Sequence, residues 1–149
     1  MRGTFYLIAG SDQNGVPFDQ EGLEKQKVRE LLGWGFEIGN HTLTHPSFRL
    51  LSRGQIAAEI GGGDAYLKKL VPGIRVETLA LPYGDLPAKP RDWPLLRRSP
   101  ITSEGYRNIG ILLCDGVLSP SPFSSSFDSG RIHRLLPAPG RLEATLGHL

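Results

Sequence analysis

Cysteine is nearly absent from this chain: Cys114 stands alone among 149 residues. One thiol cannot close an intrachain disulfide or build a zinc ribbon, and it says nothing of redox compartment. No apolar run approaches the ~18 residues that a membrane-spanning helix needs. The run that follows Met1-Arg2 is too short and too aromatic for the core of a signal peptide. Charge of one sign is not in excess, with 17 Lys+Arg against 15 Asp+Glu and a net charge of +2. That balance gives no argument for nucleic acid or an anionic membrane as partner. A Gly-x-Ser-x-Gly segment is missing, so a serine hydrolase would have no nucleophile elbow. Gly61-Gly62-Gly63 lacks the Gly-Lys-Ser/Thr of a phosphate loop. Asp12-x-Asn14 begins like a calcium loop, but Val16 occupies the next ligand position.

What is present reads as one α/β domain over residues 1–149, with 39% apolar residues and room for a core. Thr4 to Ala9 is β-branched and aromatic, hence a strand, and a loop containing Asp12 ends it. Gln20 to Leu32 reads as a helix, with Asp19 as N-cap and Gly33 at its close. Phe36 to Gly39 is a short second strand. Ser52-Arg53-Gly54-Gln55 is a capping box that opens a second helix with Ile56, Ile60 and Leu67 on one face. The three glycines inside it argue against an unbroken helix, at roughly 1 kcal/mol each relative to Ala. Thr78 to Leu81, Ile109 to Cys114 and Arg131 to Leu136 read as further strands, and Arg97-Arg98 as a solvated pair. Alternating β and α units imply parallel strands joined by right-handed crossovers. The 19 glycines and 12 prolines fall mostly at strand ends, which suits a loop-rich barrel better than a helical bundle.

Function in such sheets sits at the carboxyl ends of the strands. Two of the four histidines, His41 and His45, follow the second strand there. Four-residue spacing lets two imidazoles meet one metal ion. Only neutral imidazole coordinates, so such binding is expected to weaken below a pH of ~6.5. Pro82-Tyr83-Gly84 follows the third strand, where Tyr83 is either a site residue or a packed turn residue.

The run Glu37-Ile38-Gly39-Asn40-His41-Thr42-Leu43-Thr44-His45-Pro46 resembles the metal-binding motif of the polysaccharide deacetylases, the NodB-homology carbohydrate esterases. Pro82-Tyr83-Gly84 is similar to the next motif of that family. Thr4-Phe5-Tyr6-Leu7 looks like the strand before the histidines. Ser119-Pro120-Ser121-Pro122-Phe123 with Arg131-Ile132-His133-Arg134 looks like a tail found in one bacterial branch. The resemblance implies a distorted (β/α) barrel of the NodB-homology type. It implies a divalent metal (zinc, or cobalt or nickel) on His41 and His45. It makes Pro82 and Tyr83 substrate-binding residues and gives the Tyr83 N–H a catalytic part in holding the oxyanion. The substrate class would be an acetylated oligo- or polysaccharide of peptidoglycan or chitin-like type, met in the cell envelope or outside the cell.

Three departures qualify that picture. The family's Thr-Phe-Asp-Asp strand, source of a catalytic base and third metal ligand, is not in this sequence. The chain is therefore expected to be an incomplete barrel, truncated at its N-terminus. The family Arg three residues before the motif Tyr is Ala80, and Leu81 replaces a Pro. The late Leu-x-His general acid has no secure counterpart, since His133 sits where the branch has Pro and His148 lies next to the C-terminus. Two readings stand: a metal-dependent hydrolase that uses another carboxylate such as Asp12 or Asp128, or a catalytically impaired fold that binds metal or sugar without turnover. A barrel lacking its first strand would leave Thr4–Ala9 as an edge and favour a homodimer.

Overall fold

A computed structural model describes residues 3–10, 18, 20–100 and 105–135. Asp12, Asp19, Leu136 and His148 lie outside the described residues, and so do the readings that rest on them. Four strands form one parallel sheet: β1 (Thr4–Leu7), β2 (Glu37–Asn40), β3 (Thr78–Ala80) and β4 (Gly110–Leu112). They lie side by side in chain order, the result of successive crossovers of one hand. Helices α1 (Glu24–Gly33) and α2 (Arg53–Leu70) make the first two crossovers, and the short α3 (Pro94–Arg97) belongs to the third. The sheet is open. The expected fifth strand is reduced to one parallel bridge, between Leu112 and Ile132.

Residues on one face of the sheet bury against the helices. Leu7 and Ile38 pack with Val28, Leu31 and Leu67 in one cluster. Leu79, Leu81, Ile111 and Leu113 pack with Ile56, Ile60, Leu95 and Leu96 in another. The opposite face is built differently. Tyr6, Gly39, Thr78 and Gly110 form a row across all four strands. The Tyr6 ring lies over Gly39, where a Cβ would strike it.

Helix α2 corrects the reading of its glycines: it runs unbroken through Gly61, Gly62 and Gly63. A Cβ on Gly63 would collide with Asn40 Oδ1 and lie 3.0 Å from the Thr42 carbonyl carbon. Helix propensity is surrendered there so that α2 can approach the loop after β2. The capping box forms as expected, with Ser52 and Gln55 exchanging hydrogen bonds. Helix α1 starts later than its pattern suggested, after Leu23 and without a side-chain cap, and Gly35 at φ +84° follows its end. Arg97 is more than a solvated cation. It donates to Ser129 Oγ at 3.0 Å and pairs with Asp128 at 3.5 Å.

Candidate metal and substrate site

The chain leaves β2 at Asn40 and turns at once into a tight loop. Asn40 is fully buried and closes that loop from inside. Its amide donates to the Ile60 carbonyl of α2 at 2.8 Å, and its Oδ1 accepts from the Thr42 N–H at 2.8 Å. Thr42, also fully buried, accepts from the His45 N–H at 3.0 Å. Glu59 of α2 grips the far side, taking the Leu43 and Thr44 N–H groups at 3.1 and 2.9 Å and the Thr44 hydroxyl at 2.8 Å. The loop tolerates two non-glycine residues in the left-handed region, Thr42 at φ 72° and His45 at φ 61°. Such conformations persist where surrounding contacts over-determine them, and they gather at functional sites.

This clamp aims both imidazoles at the carboxyl ends of the strands. The His41 N–H of the backbone reaches Leu7 O at 2.9 Å, so the residue continues the β1–β2 ladder. Its side-chain Nδ1 lies 2.9 Å from the Ala80 carbonyl. A carbonyl only accepts, so Nδ1 carries the proton and Nε2 keeps its lone pair. That arrangement orients a ligating histidine in metal sites generally. Burial pushes the His41 pKa down to about 4, opposed in part by the Ala80 bond and aided by the charges of His45 and Arg134. Burial lowers His45 as well. Both shifts favour the neutral ring, so the expected loss of metal affinity moves to lower pH.

The His41 and His45 rings are 4.8 Å apart between centroids at 84°. Two imidazoles bound at 2.0–2.1 Å to one tetrahedral ion have centroids roughly 5 Å apart, a separation of the same size. Among the described residues no group of three His, Cys, Asp or Glu side chains could complete such a centre. Asp128 is turned to Arg97 and the Gly130 N–H. Asp85, beyond the tyrosine turn, accepts from Ser47 Oγ at 2.5 Å and pairs with Arg49 at 2.8 Å. Asp85 therefore ties the end of the histidine loop to the tyrosine turn. His133 is held by Asp115, Nδ1 to Oδ2 at 2.5 Å.

The Tyr83 ring lies against His45, and 66% of the residue is exposed. Its ring centroid is 4.9 Å from that of His45. Pro82 is fully buried and anchors the turn from below. The turn's two backbone hydrogen bonds run from Gly84 to Leu81 and from Asp85 to Pro82, so neither uses the Tyr83 N–H. Gly84, at φ +74°, sits so close to the Cys114 backbone that a Cβ would be 2.5 Å from its nitrogen. Sequence reading singled out His41, His45 and Tyr83, and the structure brings their rings together. It missed Glu59 and Asp85 as supports, since a carboxylate on a helix or loop carries no pattern that names its partner.

The family model for polysaccharide deacetylases matches residues 1–93. This span includes the histidine loop and the tyrosine turn. Among solved structures the fold is similar to that of the deacetylase PplD of Streptococcus pyogenes, determined in complex with acetate, with a TM-score of 0.56 and 16% identity. The match covers 82% of this chain and 49% of that one, so this chain spans about half the length of its structural relative. The chain belongs to the polysaccharide deacetylase family.

Proposed function

From that membership, we propose that the chain acts on an acetylated oligo- or polysaccharide, removing an N- or O-acetyl group by hydrolysis at the His41/His45/Tyr83 site. One observation carries the reading: the rings of His41, His45 and Tyr83 lie side by side at the carboxyl ends of a parallel sheet, and among the described residues the Tyr83 N–H has no backbone partner. His41 and His45 would supply two ligands to a divalent metal, zinc or else cobalt or nickel. A bound ion of that kind polarises a carbonyl and lowers the pKa of its water. The described residues orient the site and supply one oxyanion donor. The Ala80 carbonyl keeps His41 in the ligating tautomer, and the clamp of Asn40 and Glu59 keeps His45 beside it. The Tyr83 N–H donates to the oxygen that becomes negative when the acetyl carbon turns tetrahedral.

A second reading has its own observation. Among the described residues no third ligand joins the histidines, and Asp85, Glu59 and Asp128 are all engaged elsewhere. The chain would then bind metal or acetylated sugar without turnover. Acetate release from N-acetylglucosamine oligomers with added Zn²⁺, Co²⁺ or Ni²⁺ separates the two. Turnover lost in His41→Ala supports the hydrolase. Calorimetric metal binding that vanishes in the double His41→Ala/His45→Ala variant, with no acetate released, supports the second reading. Equal metal binding by the double variant and the parent chain overturns the assignment of His41 and His45 as metal ligands in both readings.

A further inference from the structure

Cations gather in one place outside the site. A cleft of about 610 Å³ opens beside the start of α2, a volume ordinary for a small-molecule pocket. One wall is formed by residues 49–53, from the end of the turn Phe48–Leu50 into α2. The other is formed by residues 88, 89, 91 and 92, around the turn Pro90–Asp92. Arg49, Arg53, Lys89 and Arg91 line the cleft, and all four are exposed. Neither reading of the histidine site has a use for them.

Two aspartates fix these walls. Asp92 is buried and accepts from Arg53 Nη1 at 3.0 Å, which docks its turn on the start of α2. The Asp92 N–H closes that turn on the Lys89 carbonyl at 2.9 Å, so Lys89 and Arg91 are carried on a fixed backbone. Asp85 holds Arg49 Nε at 2.8 Å and, by accepting from Ser47, joins the first wall to the end of the histidine loop. Each aspartate engages a single nitrogen of its arginine, so the other N–H groups of both guanidinium forks face outward.

The charges do not cancel. Among the described residues Asp92 is the one carboxylate that lines the cleft, and Lys89 and Arg91 enter no ion pair. No acid stands in the first turn of α2. With Asp85 and Asp92 set against Arg49 and Arg53, the cleft keeps an excess of two positive charges. A carboxylate ligand would bring one negative charge and two acceptor oxygens. A phosphate monoester brings about −1.5 to −2 at neutral pH and three strong acceptor oxygens. The monoester matches both the excess charge and the number of donors, and guanidinium forks and an ammonium are each suited to it.

We propose that this cleft binds the phosphate group of a small phosphate-bearing ligand. The site is separate from the histidines, needs no metal and stands whether or not the chain turns over an acetylated sugar. Inorganic phosphate and an organic monoester are two sources of the same chemistry.

The test is calorimetric titration of the whole chain, freed of metal on a chelating resin, with inorganic phosphate, glucose 6-phosphate and sodium acetate. Both phosphates should bind, at least roughly tenfold more tightly than acetate, and their affinity should fall with salt. The tighter of the two identifies the source. In Lys89→Ala/Arg91→Ala the phosphate affinity should drop by about tenfold or more and its salt dependence should flatten, at an unchanged melting temperature. The exchange Lys89→Arg/Arg91→Lys keeps the charges and should keep most of the binding. A loss there as large as in the double alanine variant overturns the charge argument. Equal phosphate affinity in the parent and the double alanine variant overturns the site, as does equal affinity for acetate and phosphate. No phosphate binding by the parent chain at millimolar concentration overturns it too.

Discussion

Single residues at this site are governed by burial. An unfolded histidine titrates near ~6.5, whereas His41 in the folded chain titrates at about 4. Between those values the unfolded chain holds more protons, so stability rises with pH across the window and drains away as pH falls through it. His45, lowered in the same direction, adds to the slope. Urea midpoints should therefore fall between about pH 7 and about pH 4.5, and His41→Gln should flatten the dependence. A parent midpoint that does not move would show the imidazoles to be freely hydrated. Asn40 makes a second case. Truncating it to Ala would strand the Thr42 N–H and the Ile60 carbonyl in a buried place, at a cost of about 1–3 kcal/mol. An Asn40→Ala chain with unchanged stability, measured by denaturant titration, would mean that water replaces both bonds.

At the level of elements, two glycines of α2 should answer the same substitution with opposite signs. A Cβ added at Gly54 would meet nothing within 4 Å, and that residue lies outside the left-handed region. Gly54→Ala should stabilise by about 0.4–1 kcal/mol through the unfolded chain. Gly63→Ala meets Asn40 and Thr42, so the loss from overpacking, about 1–3 kcal/mol, outweighs the gain in propensity. Denaturation midpoints of the two variants decide this, and equal shifts would refute the close approach. The contrast also shows what the sequence could convey. Periodicity marked β1 to β4, and the Ser52–Gln55 box marked the start of α2, because these are local signals. The unbroken course through Gly61–Gly63 was not legible, because its cause is a long-range contact with Asn40. In the site, the spacing of His41 and His45 was plain from the letters. The clamp by Glu59 and the Asp85 tie depend on crossovers that bring distant residues together. Arg131–Leu136 looked like a full strand for its apolar content, yet among its described residues ladder pairing comes down to Ile132.

The whole molecule is a parallel sheet whose described helices all serve one face. Parallel sheets are ordinarily covered on both. Among the described residues β1 is also the outermost strand, with its partner β2 on one side only. Phe5 on that strand is 40% exposed and meets Phe36 edge-on at 5.2 Å between ring centroids. A row of backbone donors and acceptors beside a half-exposed phenyl ring is a template for another strand, and nothing in its short sequence Thr-Phe-Tyr-Leu blunts it with a charge or a proline. We therefore expect this chain to self-associate as concentration rises, through β1. Phe5→Lys should return it toward the monomer, since an edge lysine must stay hydrated and cannot be stacked between paired strands. Light scattering across a dilution series measures the change. A compact monomer at every concentration, with Phe5→Lys indistinguishable from the parent, would mean that β1 is already protected within a single chain.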